Sequence, residues 1–130
     1  MSLNDPLANA LSAVLHSESI GRTECAIKPV SRMIKQVFKI LNEQHYLGSY
    51  AEVKDRKGNH LKVQLTGAIN QCGVVKPRFP VTKEGFEKLE RRYLPARNMG
   101  LLIVSTSKGL MTNSQAKEKK LGGRIIAYCY

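Results

Sequence analysis

The run Leu101-Leu102-Ile103-Val104 passes without interruption into Ser105-Thr106-Ser107-Lys108-Gly109. Four consecutive apolar residues read as a buried strand. Three consecutive hydroxyl side chains are poor material for continuing it through a core, because each buried hydroxyl needs a partner. At the strand end they instead present short donor-acceptor groups at an edge. Gly109 permits backbone conformations that other residues resist, and it lets another molecule approach the main chain. An isolated Ser-Thr-Ser is ordinarily a solvated turn. Here its surroundings give it more weight.

Those surroundings are basic. The chain has 130 residues, a formal charge of +11 and hydrophobic residues at 42% of positions. That length suits one or two small domains with real cores, and the composition excludes a disordered tail. The excess charge, with a pI near 9.8, repels itself and calls for an anionic partner. Nucleic acid is the first expectation and an anionic membrane surface the second. The first twenty residues carry no Lys or Arg, whereas basic residues recur from Arg22 to Arg124. They form no long block, so the cations are mounted on folded elements rather than on a loose arm. Three widely spaced cysteines, Cys25, Cys72 and Cys129, argue against a disulfide framework and against a zinc site. Reduced thiols in a cytoplasmic protein fit better. No signal peptide and no membrane-spanning run is expected.

Read in order, the chain predicts an α+β protein in two lobes. Asp5-Pro6 starts a helix, with Asp5 as cap, and Leu7, Leu11, Val14 and Leu15 share its inner face until about Gly21. Thr23–Lys28 reads as a short strand. Ser31 caps a second helix to about Gln44, with Ile34, Val37, Phe38 and Leu41 inward and Arg32, Lys35 and Lys39 on another face. Tyr46–Lys54 and His60–Leu65 flank the turn signal Asp55-Arg56-Lys57-Gly58-Asn59 and form a hairpin. Residues 1–66 are thus an α/β lobe ordered helix-strand-helix-strand-strand. Gly67 opens the second lobe, residues 67–130, of antiparallel strands with short helices. Ala68–Val75 holds a strand or two. Lys76-Pro77-Arg78-Phe79-Pro80 is extended, since prolines bracket it; Phe79 is assigned to the core. Thr82–Tyr93 is a helix whose mixed charges mark a solvated face. Thr112-Asn113-Ser114-Gln115 matches a capping box. Its helix runs to about Lys120 and stops at Gly122-Gly123. Arg124–Tyr130 is a final strand, with Ile125, Ile126 and Tyr128 for the core.

Enzymatic signatures are weak. Ser105 and Lys108 satisfy S-x-x-K, but the companion S-D-N and K-T-G elements are missing. There is no G-x-S-x-G elbow and no phosphate loop. His16, His45 and His60 are scattered without ligand spacing. No catalytic residue, metal or cofactor is expected. For phosphate, the sequence nominates Ser31, Arg32, Lys35, Arg56, Lys57, Lys76, Arg78, Lys119, Lys120 and Arg124.

Taken together, Ser105-Thr106-Ser107-Lys108-Gly109, Met111-Thr112 and Gly122-Gly123 before a terminal apolar strand resemble the C-terminal signature of the ribosomal protein S-eight family. Asp5-Pro6-Leu7-Ala8 and Pro29-Val30-Ser31 resemble its N-terminal motifs. Lys76-Pro77-Arg78-Phe79 and Tyr93-Leu94-Pro95-Ala96-Arg97 look like its archaeal and eukaryotic branch, and the basic, short chain favours an archaeal member. The resemblance covers nearly the whole chain. It implies a structural protein of the small ribosomal subunit that binds an irregular helix in the central domain of small-subunit ribosomal RNA. It further implies support of assembly, contact with neighbouring ribosomal proteins and, in some members, repression of the protein's own messenger RNA. By resemblance, Ser105, Thr106, Ser107, Lys108 and Gly109 contact RNA, with Gly122 and Gly123 as loop support or close backbone contact. Bacterial members commonly carry an acid where this chain has Arg124, so contacts of that acid do not transfer. The alternative class is a free-standing RNA-binding regulator; an enzyme using Ser105 or Lys108 ranks lower.

Overall fold

A computed structural model describes residues 6–28, 31–54, 56, 58–75, 78, 80–82, 84–96 and 99–130. Asp5, Pro29, Val30, Asp55, Lys57, Lys76, Pro77, Phe79 and Arg97, all named above, lie outside the described residues. The chain divides into two compact units, Met1–Asn70 and Gln71–Tyr130. Gly67 therefore falls inside the first.

The first unit runs α1 (Pro6–Ser19), β1 (Glu24–Ile27), α2 (Arg32–Glu43), β2 (Leu47–Val53) and β3 (His60–Leu65). β3 lies between β1 and β2, antiparallel to both. Along it Leu61 and Val63 are buried and Lys62 and Gln64 exposed, as the alternation requires of a sheet with one wet face. α1 buries Leu7, Ala10, Leu11, Val14 and Ser17. Leu15, expected inward, is only half-buried. α2 buries Ile34, Val37, Phe38, Ile40 and Leu41, and Ser31 caps it by accepting the Ile34 N–H at 3.2 Å. That bond satisfies one of the orphan donors of the first turn.

The second unit runs β4 (Cys72–Val74), β5 (Pro80–Val81), α3 (Phe86–Tyr93), β6 (Leu101–Thr106), β7 (Gly109–Thr112), α4 (Asn113–Glu118) and β8 (Gly123–Cys129). Its sheet has the order β4-β8-β6-β7, with β5 also on β8, and every pairing is antiparallel. The α+β reading is therefore correct. The Ala68–Val75 stretch holds one strand, Cys72–Val74, as expected. One helix boundary differs. The helix expected from Thr82 starts at Phe86, because Gly85 donates its N–H to the Thr82 carbonyl at 2.9 Å and closes a turn first.

Leu102, Val104, Met111 and Ile125 from the sheet meet Phe86, Leu94 and Ala116 in one core cluster. Leu101 and Ile103, on the opposite pleat of β6, are buried too. A strand apolar on both pleats is how a central strand reads in sequence. β8 breaks the alternation: Ile103 pairs with Ala127 but Val104 pairs with Ile125. Ile126 is thus the extra residue of a β-bulge, and Ile125, Ile126 and Ala127 are buried in succession. Tyr128, expected in the core, is half-buried. Its ring stacks with Tyr93 at 5.7 Å and Tyr130 at 6.4 Å. It also covers Gly73, where a Cβ would lie 3.1 Å from the Tyr128 hydroxyl. An aromatic ring over a strand glycine replaces the packing that glycine lacks.

Three helices end the same way. In α1 the Arg22 N–H donates to Ser17 O at 3.0 Å and the Gly21 N–H to Glu18 O at 3.2 Å. In α2 Tyr46 donates to Leu41 at 2.9 Å and His45 to Asn42 at 3.1 Å. In α4 Leu121 donates to Ala116 at 2.9 Å and Lys120 to Lys117 at 3.1 Å. This paired bonding is the Schellman motif, whose pivot adopts a left-handed conformation. The pivots are Gly21 (φ +78), His45 (φ 66) and Lys120 (φ 56). Gly122-Gly123 is therefore not the stop of α4, contrary to expectation; Lys120 is, with Leu121 folded against the core. Left-handed backbone is unfavourable for side chains bearing a Cβ. His45→Gly should raise stability by roughly 0.5–1 kcal/mol, the relief of strain being partly offset by unfolded-chain entropy. Urea unfolding of the two proteins measures it, and His45→Ala should show no gain.

Candidate nucleic-acid interface

The hydroxyl run closes a hairpin. Thr106 on β6 pairs with Gly109 on β7, and Ser107-Lys108 form the turn between them. Gly109 carries φ +106, while neither Ser107 nor Lys108 has a positive φ. In such tight loops a glycine after the turn restores the strand twist.

Each hydroxyl has a different fate. Thr106 Oγ1 donates to the Gly109 carbonyl at 2.9 Å and accepts the Lys108 N–H at 3.1 Å. It clips the turn from within. Ser105 is half-buried, opposite Leu110 on β7 and Arg124 on β8. Ser107 is exposed, together with Lys108 and Gly109. Among the described residues the Ser105 and Ser107 hydroxyls make no hydrogen bond. No bond joins Ser105 to Lys108 among those residues either, so the S-x-x-K spacing brings no nucleophile to a base.

The glycine pair reaches this tip from β8. A Cβ on Gly123 would lie 2.1 Å from the Ser105 carbonyl oxygen, 2.9 Å from its carbon and 3.1 Å from Val104 Cγ1. Only hydrogen fits there. Gly122 is exposed beside it. Arg124 stands between Ser105 on β6 and Pro80 on β5, with its side chain exposed. Arg78, also exposed, precedes β5 by two residues in sequence. Lys119 and Lys120 are exposed in the closing turn of α4. The second unit thus gathers Ser105–Gly109 with Gly122, Gly123 and Arg124.

α4 is fixed beneath the hairpin by side chains. The capping box is present: Thr112 Oγ1 accepts the Gln115 N–H at 3.2 Å, and Gln115 Oε1 accepts the Thr112 N–H at 3.1 Å. Asn113, which the sequence reading did not single out, is buried. Its Oδ1 accepts the Leu102 N–H at 3.2 Å and its Nδ2 donates to Glu90 Oε1 at 2.6 Å. Glu90 also pairs with Lys117. The mixed charges of α3 are therefore not only a solvated face: Glu90 ties α3 to α4. An Asn directly after a cap is the only trace of this in the sequence.

In the first unit the nominated residues are partly engaged. The Ser31 hydroxyl serves as the cap of α2. Lys35 Nζ lies 2.7 Å from Glu52 Oε2, and hydrogen bonding from Lys35 holds the Glu52 carboxyl below its ordinary range. Arg32 is exposed on α2 and Arg56 in the turn after β2. Lys57 and Lys76 lie outside the described residues. Among the described residues no group of His, Cys, Asp and Glu could hold a metal ion, and no helix is long and apolar enough to cross a membrane.

A net charge of +11, with an exposed hydroxyl-and-lysine hairpin beside an arginine, is the chemistry of a nucleic-acid-binding protein. The family model described as ribosomal protein S8 matches residues 5–130. The chain belongs to that family: it is a small-subunit ribosomal protein that binds ribosomal RNA, and the family is structural rather than enzymatic.

Two glycine substitutions separate the supports of the tip. Gly109→Ala meets open space but keeps an unfavourable φ, and should cost about 1–2 kcal/mol. Gly123→Ala meets backbone at 2.1 Å and should cost about 3 kcal/mol or more, since β6 and β8 must part. Denaturant unfolding of both variants gives the order.

Proposed function

We propose that the β6–β7 hairpin reads an irregular helix in the central domain of small-subunit ribosomal RNA, and that surrounding cations hold its backbone. On this reading the protein is a primary binder that supports subunit assembly in the cytoplasm. The same surface represses translation of its own messenger RNA when that message presents a similar helix. The observation that carries the proposal is the tip itself: Ser107, Lys108 and Gly109 exposed on a hairpin clipped by Thr106 and backed by Gly123 without a Cβ.

The chemistry suits RNA. The deep groove of an A-form helix resists side chains, so proteins read the shallow groove, its 2′-hydroxyls and its irregular bases. A serine hydroxyl both donates and accepts, which matches a 2′-hydroxyl or a base edge at short reach. Arg124 beside Ser105 supplies a phosphate contact, which positions the protein without reading sequence. Thr106 acts through the turn, so its role is to position the loop. Lys35 is engaged with Glu52, which makes exposed Arg32 the stronger phosphate candidate on α2.

Ser107→Ala should weaken binding to a central-domain RNA fragment by roughly 5- to 10-fold, about one hydrogen bond to a polar group, and leave binding to an unrelated duplex unchanged. Filter binding on the two RNAs measures it; equal loss on both would remove the selectivity claim. Arg124→Ala should weaken both RNAs alike and reduce the slope of log affinity against log salt by about 1. An unchanged slope would exclude Arg124 from phosphate.

A further inference from the structure

We propose that Cys72 and Cys129 form an oxidisable dithiol, a site at which a hydroperoxide converts two buried thiols into a cross-strand disulfide. Fifty-odd residues apart in sequence, they are directly opposed in the sheet, Cys72 on β4 and Cys129 on β8. The ladder fixes the kind of pair. Gln71 and Tyr130 exchange both backbone hydrogen bonds, at 2.9 and 2.8 Å. Val75 donates to the Ile126 carbonyl at 3.0 Å. Bonded and non-bonded pairs alternate along an antiparallel ladder, so Cys72–Cys129, one rung from Gln71–Tyr130, is a non-bonded pair. In such pairs the Cα atoms approach to about 4.5 Å and the side chains are closest. A disulfide spans Cα separations of about 4.4–6.8 Å. Directly opposed residues also share one face of the pleat. Neither cysteine is in a disulfide now. Cys25, in the first unit, has Val63 across the strand from it instead.

Both thiols are buried, Cys72 at 5% and Cys129 at 1% exposure, so a peroxide reaches them when the edge opens. β4 is three residues long and pairs with β8 alone. Short edge strands with few bonds open locally at small cost. The step is balanced. One thiol releases its proton, its thiolate takes oxygen from hydrogen peroxide to become a sulfenic acid, and the hydroxide expelled takes up that proton as water. The second sulfur then attacks it, forming the S–S bond and expelling a second water. One peroxide is reduced to two waters, and the two thiols together lose two hydrogens. The bond would lock the edge strand to β8 and close most of the second unit into a covalent loop, which constrains the unfolded chain.

The test is titration of the full reduced chain with hydrogen peroxide, read by intact mass and peptide mapping. The expected product has lost two hydrogens, joins the Cys72 peptide to the Cys129 peptide and keeps one reactive thiol, Cys25. Its melting temperature should rise by roughly 10 °C and return on reduction. Cys25→Ala should form the same bond, whereas Cys72→Ala and Cys129→Ala should not. A second measurement needs no variant: phenylarsine oxide, which bridges close thiol pairs, should bind the native chain one to one and block the peroxide product. Oxygen addition at separate cysteines, dimers through Cys25, or no one-to-one arsenical adduct would overturn the proposal.

Discussion

The second unit depends on one backbone-to-backbone approach, Gly123 against the Ser105 carbonyl. A Cβ there would sit 2.1 Å from the oxygen, a distance no carbon can hold. Because the glycine lets β8 close on β6 at this point, Arg124 comes level with Ser105, and Val81 of β5 pairs with Gly123 itself. Further along, the strands cannot keep a regular register, and the bulge at Ile126 absorbs the difference. The bulge in turn lets three consecutive apolar residues of β8 be buried. A local absence of one methyl group thus sets the alignment of the hairpin tip and its neighbours.

Around that contact the polar groups divide into those used in folding and those left to face outward. Thr106 is consumed by the turn, Thr112 and Gln115 by the capping box, and Asn113 by the Leu102 N–H and Glu90. Ser31 and Lys35 are similarly taken, by a cap and by Glu52. Ser107 and Lys108 remain exposed at a place the others make rigid. The proposed reading of an irregular RNA helix would need this division, because a small hydroxyl has reach for one partner and must be held where that partner lies. Affinity can come from many exposed cations, but selectivity requires few groups placed well.

The same sheet has a different character at its other end. Tyr93, Tyr128 and Tyr130 stack in a row, and Tyr128 covers Gly73. On the opposite pleat of β8 from Tyr128, Cys129 faces Cys72 on β4. The tip of β6 and β8 is polar and basic, whereas this end is aromatic and carries the thiols. Strand β8 therefore borders two different environments, since its two ends are far apart along the strand and its two pleats face opposite ways.

By itself, the sequence determined the order of elements in the first unit, the caps at Ser31 and Thr112, and β6 as a two-faced buried strand ending in hydroxyls. These are local signals: periodicity, capping residues and a change of polarity act within a few residues. Family membership was legible for the same reason, because short motifs recur in order along residues 5–130. Tertiary structure alone decided that Thr106 clips the turn while Ser107 faces outward, that Gly123 is a close approach rather than a helix stop, and that Lys120 takes the left-handed position. It also decided that Glu90 anchors Asn113 and that Cys72 meets Cys129. Each depends on strand register or on residues distant in the chain, and register is fixed only when the whole sheet closes.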